Sequence, residues 1–161
     1  MVVVADTSPL NYLVQISHEE VLPSLFGQIW IPKAVFVELS HARAPERVAA
    51  WVRAIPEWLI VVTVEPSEDS ADLDRGEREA LALAEVHRPS VLLIADDGRA
   101  RDTAALRGIP TTGTLGVLDT AAAAGLLDLR GALGKLRATN FHGADHLFAI
   151  LLERDARRRG H

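Results

Sequence analysis

Carboxylates at the ends of two predicted strands are the residues of this sequence best placed to do chemistry. An apolar run at residues 2–5 leads directly into Asp6, and a second run at 91–95 leads into Asp96 and Asp97. Ligands of open α/β sheets bind beyond the carboxyl ends of the strands, and an aspartate that ends a buried strand has the rigid base that a metal site requires. One such acid alone would be interpreted as a helix cap. Two strands that end in this way favour a shared site.

Further acids lie on two predicted helices. Glu38 lies on an otherwise apolar helix that follows another strand, and a solvent-exposed helix position explains it equally well. Glu77 and Glu79 open the helix predicted at 76–87, where the helix dipole by itself favours acidic residues. The polar stretch 66–74 is interpreted as a surface loop. Its acids Asp72 and Asp74 are taken as charges of that loop.

The hydrophobic pattern predicts a fold that can bring the strand ends together. Short β-branched or apolar runs predict strands buried on both faces, and amphipathic stretches between them predict helices. This alternation indicates an α/β fold with a mainly parallel sheet. Strands are predicted at residues 2–5, 28–31, 58–64, 91–95 and 109–111. Helices are predicted at residues 21–26, 32–39, 45–54, 76–87, 97–106, 115–124, 131–138 and 144–158, and another follows Asp6 with Thr7 or Ser8 as its cap.

The composition is that of one ordinary domain, expected to span residues 1–161. The chain of 161 residues is 48% hydrophobic and 24% charged, which suffices for a single buried core. It contains no cysteine, which excludes disulfides and thiolate metal sites. We see neither a secretory signal nor an apolar run of roughly 20 residues, so we expect a cytoplasmic protein without a membrane span.

The formal net charge of −5 excludes nucleic-acid binding through a broadly basic surface, because phosphate neutralisation needs a cationic face. Any contact with nucleic acid must therefore be local. Divalent cations bound at an acidic site would reverse the charge there.

Four segments, in chain order, resemble the PIN-domain family, and most of all its compact stand-alone prokaryotic members related to the VapC toxins. The segments are DTSPL (6–10), IPKAVFVEL (31–39), GEREALALA (76–84) and LLIADDGRAR (92–101). The later TGTLGVL at 112–118 resembles the same subgroup. The resemblance covers residues 2 to about 136. It implies a three-layer α/β sandwich and a metal-dependent ribonuclease.

The resemblance also implies which acids bind the metal, expected to be Mg²⁺ or Mn²⁺. The implied catalytic quartet is Asp6, Glu38, Glu79 and Asp96. The family commonly has aspartate at the third position, where this chain has Glu79, and Glu77 lies close enough to be the alternative ligand. Asp97 is a neighbour of Asp96 that can share its role. Mg²⁺ prefers oxygen ligands, so three or four carboxylates suit it.

Hydroxyl groups and arginines near these acids are candidate RNA-binding residues. Thr7, Ser8 and Thr114 could orient a water or a phosphate, although helix capping is the preferred role of Ser8. Arg99 and Arg101 either hold the RNA backbone beside the metal or form a solvated helix face. The resemblance further implies a homodimer with RNA as its substrate, in some relatives also with an antitoxin protein as partner. More apolar helix surface than one sheet readily covers supports the homodimer.

Two other functions compete with this interpretation. A catalytically idle PIN-like module that binds RNA or a protein is supported by the glutamate at the third position. A phosphatase of the haloacid dehalogenase type also begins with a strand and an aspartate, but it needs a second aspartate two residues on, where this chain has Ser8. No GxxxxGK[ST] loop is present, which excludes the usual phosphate-binding loop of NTP hydrolysis.

Overall fold

The computed structural model describes residues 1–41, 43–66, 72–143 and 145–160. Within these ranges the strands are β1 (Val2–Ala5), β2 (Ile29–Pro32), β3 (Leu59–Val62), β4 (Val91–Ile94) and β5 (Thr111–Thr112). The helices are α1 (Thr7–Gln15), α2 (Val21–Phe26), α3 (Lys33–Leu39), α4 (Glu46–Val52), α5 (Arg75–Val86), α6 (Gly98–Leu106), α7 (Thr114–Ala123), α8 (Leu129–Arg137) and α9 (Asp145–Arg158). All strands run parallel in the order β3-β2-β1-β4-β5, which confirms the predicted α/β fold.

The strands are apolar along their length because helices cover both faces of the sheet. Successive side chains of a strand point to opposite faces. Val3, Ala5 and Ile31 pack into a core with α1, α2, α4, α7 and α8. Val4 and Leu93 point to the other face and pack against α5 and α6. The sheet therefore lies between two helical layers, as the three-layer expectation requires.

The register of the central strands brings their carboxyl ends together. β1 lies between β2 and β4, and Ala5 of β1 pairs with Ile94 of β4. The N–H of Asp6 continues this ladder by donating to the carbonyl of Ile94 at 2.9 Å. Asp6 and Asp96, which follow these two strands, therefore lie at the same edge of the sheet.

Two of the predicted details are wrong. Thr7 and Ser8 do not cap α1, because both already belong to the helix; Asp6 occupies the N-cap position in an extended conformation (φ −86°, ψ 174°). The last strand begins at Thr111 rather than at residue 109, because the N–H of Ile109 still donates to a carbonyl of α6.

The remaining elements begin and end within two residues of their predicted bounds. The loop predicted at 66–74 lies mostly outside the described residues, which resume at Asp72. In the part of the chain that the structure describes, no helix is both long enough and apolar enough to cross a membrane.

Candidate functional site

Asp6, which follows β1 at the carboxyl edge of the sheet, is buried, with 7% of its surface exposed. Burial raises the pKa of its carboxyl from 3.8 to about 7, although the backbone N–H of Thr7 partly opposes this by hydrogen bonding. The negative charges of Asp74, Glu38 and Asp96 raise the pKa further. Among the described residues, Asp6 is therefore a buried carboxyl that has other carboxylates around it and no cation that lowers its pKa.

Gly76, in the first turn of α5, lies where carboxylates from three elements meet. A Cβ atom at this position would lie 3.0 Å from Oε1 of Glu38 and 3.5 Å from Oδ1 of both Asp6 and Asp74. The oxygens therefore surround one small region, which stays open because residue 76 has no side chain. We call this group of acids, with the neighbours described next, the acidic cluster: Asp6, Glu38, Asp74, Glu77, Asp96 and Asp97.

Asp74 and Glu77 join the cluster through the start of α5. They form a capping box in which Glu77 N–H donates to Asp74 Oδ1 at 2.8 Å and Asp74 N–H donates to Glu77 Oε1 at 3.1 Å. Burial raises the pKa of Glu77 to about 8, and the charges of Asp74 and Asp6 and a hydrogen bond with Asp97 act in the same direction. The sequence interpretation missed Asp74, although the D-x-x-E pattern at residues 74–77 is the signal of a capping box.

Glu79, which the sequence offered as the third acid, lines one pocket together with Glu38 and is engaged in contacts within the protein. It is 3% exposed, and both of its oxygens are occupied: Oε2 pairs with Nε of Arg75 at 2.7 Å, and Oε1 accepts the N–H of Ala34 at 3.1 Å. Ala34 lies in the first turn of α3, whose N-cap is Pro32 and has no side-chain acceptor. Glu79 thus caps α3 from the neighbouring helix α5.

Asp96 is held in place by the N-terminus of α7. The backbone N–H of Thr114 donates to Oδ1 of Asp96 at 2.7 Å, and the Thr114 hydroxyl donates to Oδ2 at 2.6 Å. Thr114 is fully buried, so its hydroxyl serves Asp96 in this structure. Gly113 is required here, because a Cβ would lie 2.7 Å from Oδ1 of Asp96 and 2.9 Å from Nη1 of Arg101.

The other candidate residues are distributed around the cluster. The hydroxyl of Thr7 is buried and has no hydrogen-bond partner in the described part of the chain, whereas Ser8 is exposed in α1. Asp97 caps α6 by accepting the N–H of Ala100 at 3.0 Å. Arg101 brings its guanidinium beside Asp96 across Gly113, and Arg99 is exposed in the first turn of α6.

The donor chemistry of the acidic cluster fits a hard divalent cation. Every donor is a carboxylate oxygen, as Mg²⁺ and Mn²⁺ prefer. Two of the carboxyls have pKa values raised to about 7 and about 8, which a bound cation would lower by favouring their charged forms. Among the described residues, however, no three acidic or histidine side chains are already grouped tightly enough to hold a metal ion. A cation would therefore need these side chains to rotate closer together.

Comparison with known proteins gives one match. The family model DUF3368, which describes a PIN domain, matches residues 2–156 of the chain. No curated protein and no solved structure matches the chain significantly. The matched range contains all six members of the acidic cluster.

Proposed function

Because the chain belongs to the PIN-domain family, whose members are generally nucleases, we propose that it is a metal-dependent endoribonuclease that acts at the acidic cluster. One observation carries the proposal: carboxylate oxygens of Asp6, Glu38 and Asp74 meet around Gly76 at the carboxyl edge of the sheet. Acids on a flexible surface segment repel one another and are free to separate, whereas the backbones of these three are held by the end of β1 and by α3 and α5.

The chemistry of phosphodiester hydrolysis explains the need for such a cluster. One or two bound Mg²⁺ or Mn²⁺ ions supply an activated water and offset the charge that builds on the phosphate. Asp6, Glu38 and Asp96 hold the cation, and Thr114 keeps the Asp96 carboxylate in position. Arg101, next to Asp96, contacts the RNA backbone.

We assign the third acid to Glu77 rather than Glu79. Glu77 interacts with Asp6, Asp74 and Asp97, all of which belong to the cluster. The charge of Glu79 is already paired with Arg75, whereas among the described residues no ion pair is formed by Glu77. In this proposal Glu79 positions α3, and with it Glu38, and does not touch the cation.

The proposed substrate is single-stranded or looped RNA. Loops can splay their backbone into a narrow acidic site, whereas a stiff duplex must be deformed to enter it. The resemblance to VapC-like proteins supports three further parts of the proposal: a homodimer, a place in the cytoplasm, and a role as the toxin that an antitoxin protein inhibits.

Cleavage of a labelled single-stranded RNA tests the proposal. Wild-type protein should cleave only with Mg²⁺ or Mn²⁺, and chelator should abolish cleavage. Asp6→Asn should lower the rate by orders of magnitude, whereas the matched control Asp102→Asn, an exposed position on α6, should not. Cleavage that persists in chelator, or that survives Asp6→Asn in a folded protein, overturns the proposal.

The third acid is tested by two matched variants. Glu77→Gln should weaken Mn²⁺ binding, measured by calorimetry, and lower the cleavage rate. The Glu79→Gln variant keeps an acceptor for the N–H of Ala34. It should therefore bind Mn²⁺ with an affinity closer to that of the wild type than Glu77→Gln does. The reverse ranking would return the role to Glu79.

A catalytically idle module that binds RNA or protein is the second candidate. It is favoured by the finding that, within the described ranges, the acids are not yet grouped as a metal site. Calorimetry separates the two candidates, because an idle module would bind no Mn²⁺ at millimolar concentration. Binding that disappears in Asp6→Asn supports the nuclease.

A further inference from the structure

A groove rich in side-chain amides adjoins the acidic cluster. It has a volume of about 390 Å³ and lies between α1 and the segment after α3. Its polar lining includes Thr7, Asn11, Gln15, Glu38, His41 and Asn140. We call it the amide groove. Glu38 belongs both to this groove and to the acidic cluster, so the two sites are contiguous.

The amide groove collects most of the amides in the protein. The sequence has two asparagines and two glutamines, and three of these four side chains line this one groove. The fourth, Gln28, is exposed just before β2, at the amino-terminal edge of the sheet and away from the cluster. Amides add no charge, yet each offers both a donor and an acceptor.

Two of these amides are hydrogen-bonded to each other, which leaves one donor and one acceptor of the pair to face the groove. Nε2 of Gln15 donates to Oδ1 of Asn11 at 3.2 Å. The amino group of Asn11 then remains as a donor and the oxygen of Gln15 as an acceptor. If both amides are turned over, the free donor and acceptor merely exchange places. In either orientation the pair presents one donor and one acceptor side by side.

A second observation points to a ligand in this groove. Thr7 lines the groove, and its hydroxyl is buried without a hydrogen-bond partner among the described residues. Buried polar groups normally have partners, and each exception needs an explanation. Rotation of the Thr7 side chain about χ1 would turn this hydroxyl toward the groove, where a ligand would be its partner.

We propose that the amide groove binds one nucleobase of the RNA, next to the phosphate that is cleaved. The Watson–Crick edge of a nucleobase presents a donor and an acceptor side by side, which the Asn11 and Gln15 amides match. Glu38 and Arg43 both line the groove, so their opposite charges give it no net attraction for a phosphate. The apolar side chains of Leu39 and Val48 favour contact with a flat, uncharged base. The base must be unpaired, since a duplex already uses these edges. The identification of the ligand as RNA rests on the proposed function.

The first test needs neither metal nor catalysis. The four neutral nucleosides are titrated separately into the ¹⁵N-labelled protein, and the side-chain amide signals are followed by NMR. At least one nucleoside should shift the signals of Asn11, Gln15 and Asn140 while leaving Gln28, the internal reference, unchanged. No shift with any nucleoside at millimolar concentration, or equal shifts at Gln28, overturns the proposal.

The second test measures base discrimination during cleavage. Short RNAs that differ only in the base beside the cleaved bond, together with one abasic RNA, are compared by kcat/KM. Wild-type protein should prefer one base over the abasic RNA, and Asn11→Ala should reduce that preference by up to about tenfold, the worth of one hydrogen bond. Gln28→Ala should keep the preference, and Asn11→Ala should bind Mn²⁺ as the wild type does.

These outcomes separate the two proposals. Metal-dependent cleavage without base preference, or a preference unchanged in Asn11→Ala, overturns the nucleobase site and leaves the nuclease standing. Absence of cleavage together with nucleoside shifts at the groove overturns the nuclease and supports a base-binding site in an idle module.

Discussion

Replacement of Asp6 by asparagine should stabilise the metal-free protein at alkaline pH. Asp6 is 7% exposed, and its pKa is raised from 3.8 to about 7, chiefly by burial. Its ionisation therefore opposes folding when no cation is bound. Asparagine has a similar shape but no proton to lose, so this opposition disappears in Asp6→Asn.

The sign and size follow from proton linkage. Between about pH 4 and pH 7 the folded protein keeps a proton on Asp6 that the unfolded chain has already lost, because the folded pKa is the higher one. The free energy of unfolding of the wild type therefore falls as pH rises through this window, by about 1.4 kcal/mol per pH unit. Over the roughly three units between the two pKa values the loss reaches about 4 kcal/mol. Above pH 7 Asp6 causes no further loss.

The variant has a cost of its own that does not depend on pH. The amide N–H groups of a buried asparagine would lack acceptors or face carboxylates, at about 1–3 kcal/mol. Near pH 4 Asp6→Asn should therefore be the less stable protein. By pH 8 it should be the more stable one, by about 1–3 kcal/mol, when the linkage of about 4 kcal/mol is set against this cost.

Urea unfolding followed by tryptophan fluorescence measures the difference, in chelator, at half-unit steps from pH 4 to pH 8.5. The control is Asp102→Asn, which replaces an exposed aspartate and should track the wild type. Glu77, whose pKa is also raised, titrates in both proteins and largely cancels in the comparison. A difference between Asp6→Asn and wild type that stays constant with pH would refute the reasoning.

Three further outcomes are expected. Mn²⁺ affinity should rise with pH and level off above about pH 8. Asp6 and Glu77, whose pKa values are raised to about 7 and about 8, must lose their protons to bind the cation. Calorimetry that finds the same affinity at every pH contradicts this. Gly76→Ala, which places a methyl group 3.0 Å from Oε1 of Glu38, should lower Mn²⁺ affinity by about tenfold or more. Its control Gly134→Ala, with nothing within 4 Å, should bind normally and gain about 0.5–1 kcal/mol of stability. Thr114→Val, which removes the hydroxyl bound to Asp96, should lower the free energy of unfolding by about 1–3 kcal/mol and reduce cleavage, and Thr114→Ser should restore both.

The parts of the site that lie at strand ends were predictable from sequence. β-branched runs without polar interruption indicate parallel strands, and parallel strands end at the same edge. Asp6 and Asp96 therefore had to lie near each other in any sheet that paired β1 with β4. Their proximity needs no knowledge of which helix packs where.

The choice between Glu77 and Glu79 depends on information that the local sequence lacks. At 3.6 residues per turn the two side chains point about 200° apart around α5. When one of these side chains points toward Asp6, the other points away from it, and the helical pattern does not tell which of the two it is. The choice is fixed by the packing of α5 on α3, where Glu79 meets Ala34 across 45 positions of sequence.

The amide groove could not be predicted from the sequence either, because its residues lie far apart along the chain. Asn11 and Gln15 lie one turn apart on α1, and their spacing alone indicates only a polar stripe on a helix. Asn140 joins them only because the segment between α8 and α9 folds back beside α1. Nothing at residue 140 itself predicts this contact.

Glu79 of α5 and Asp6, which follows β1, are both buried carboxylates, but they differ in how their negative charge is compensated. Glu79 is buried and fully satisfied by Arg75 and Ala34, so it can fix two helices against each other at neutral pH. Asp6 is equally inaccessible but is surrounded by acids, so its charged form lacks compensation. Burial alone therefore does not distinguish a structural acid from a site acid. The distinction lies in whether the protein itself supplies the positive partner; in the proposed function a bound cation is that partner for Asp6.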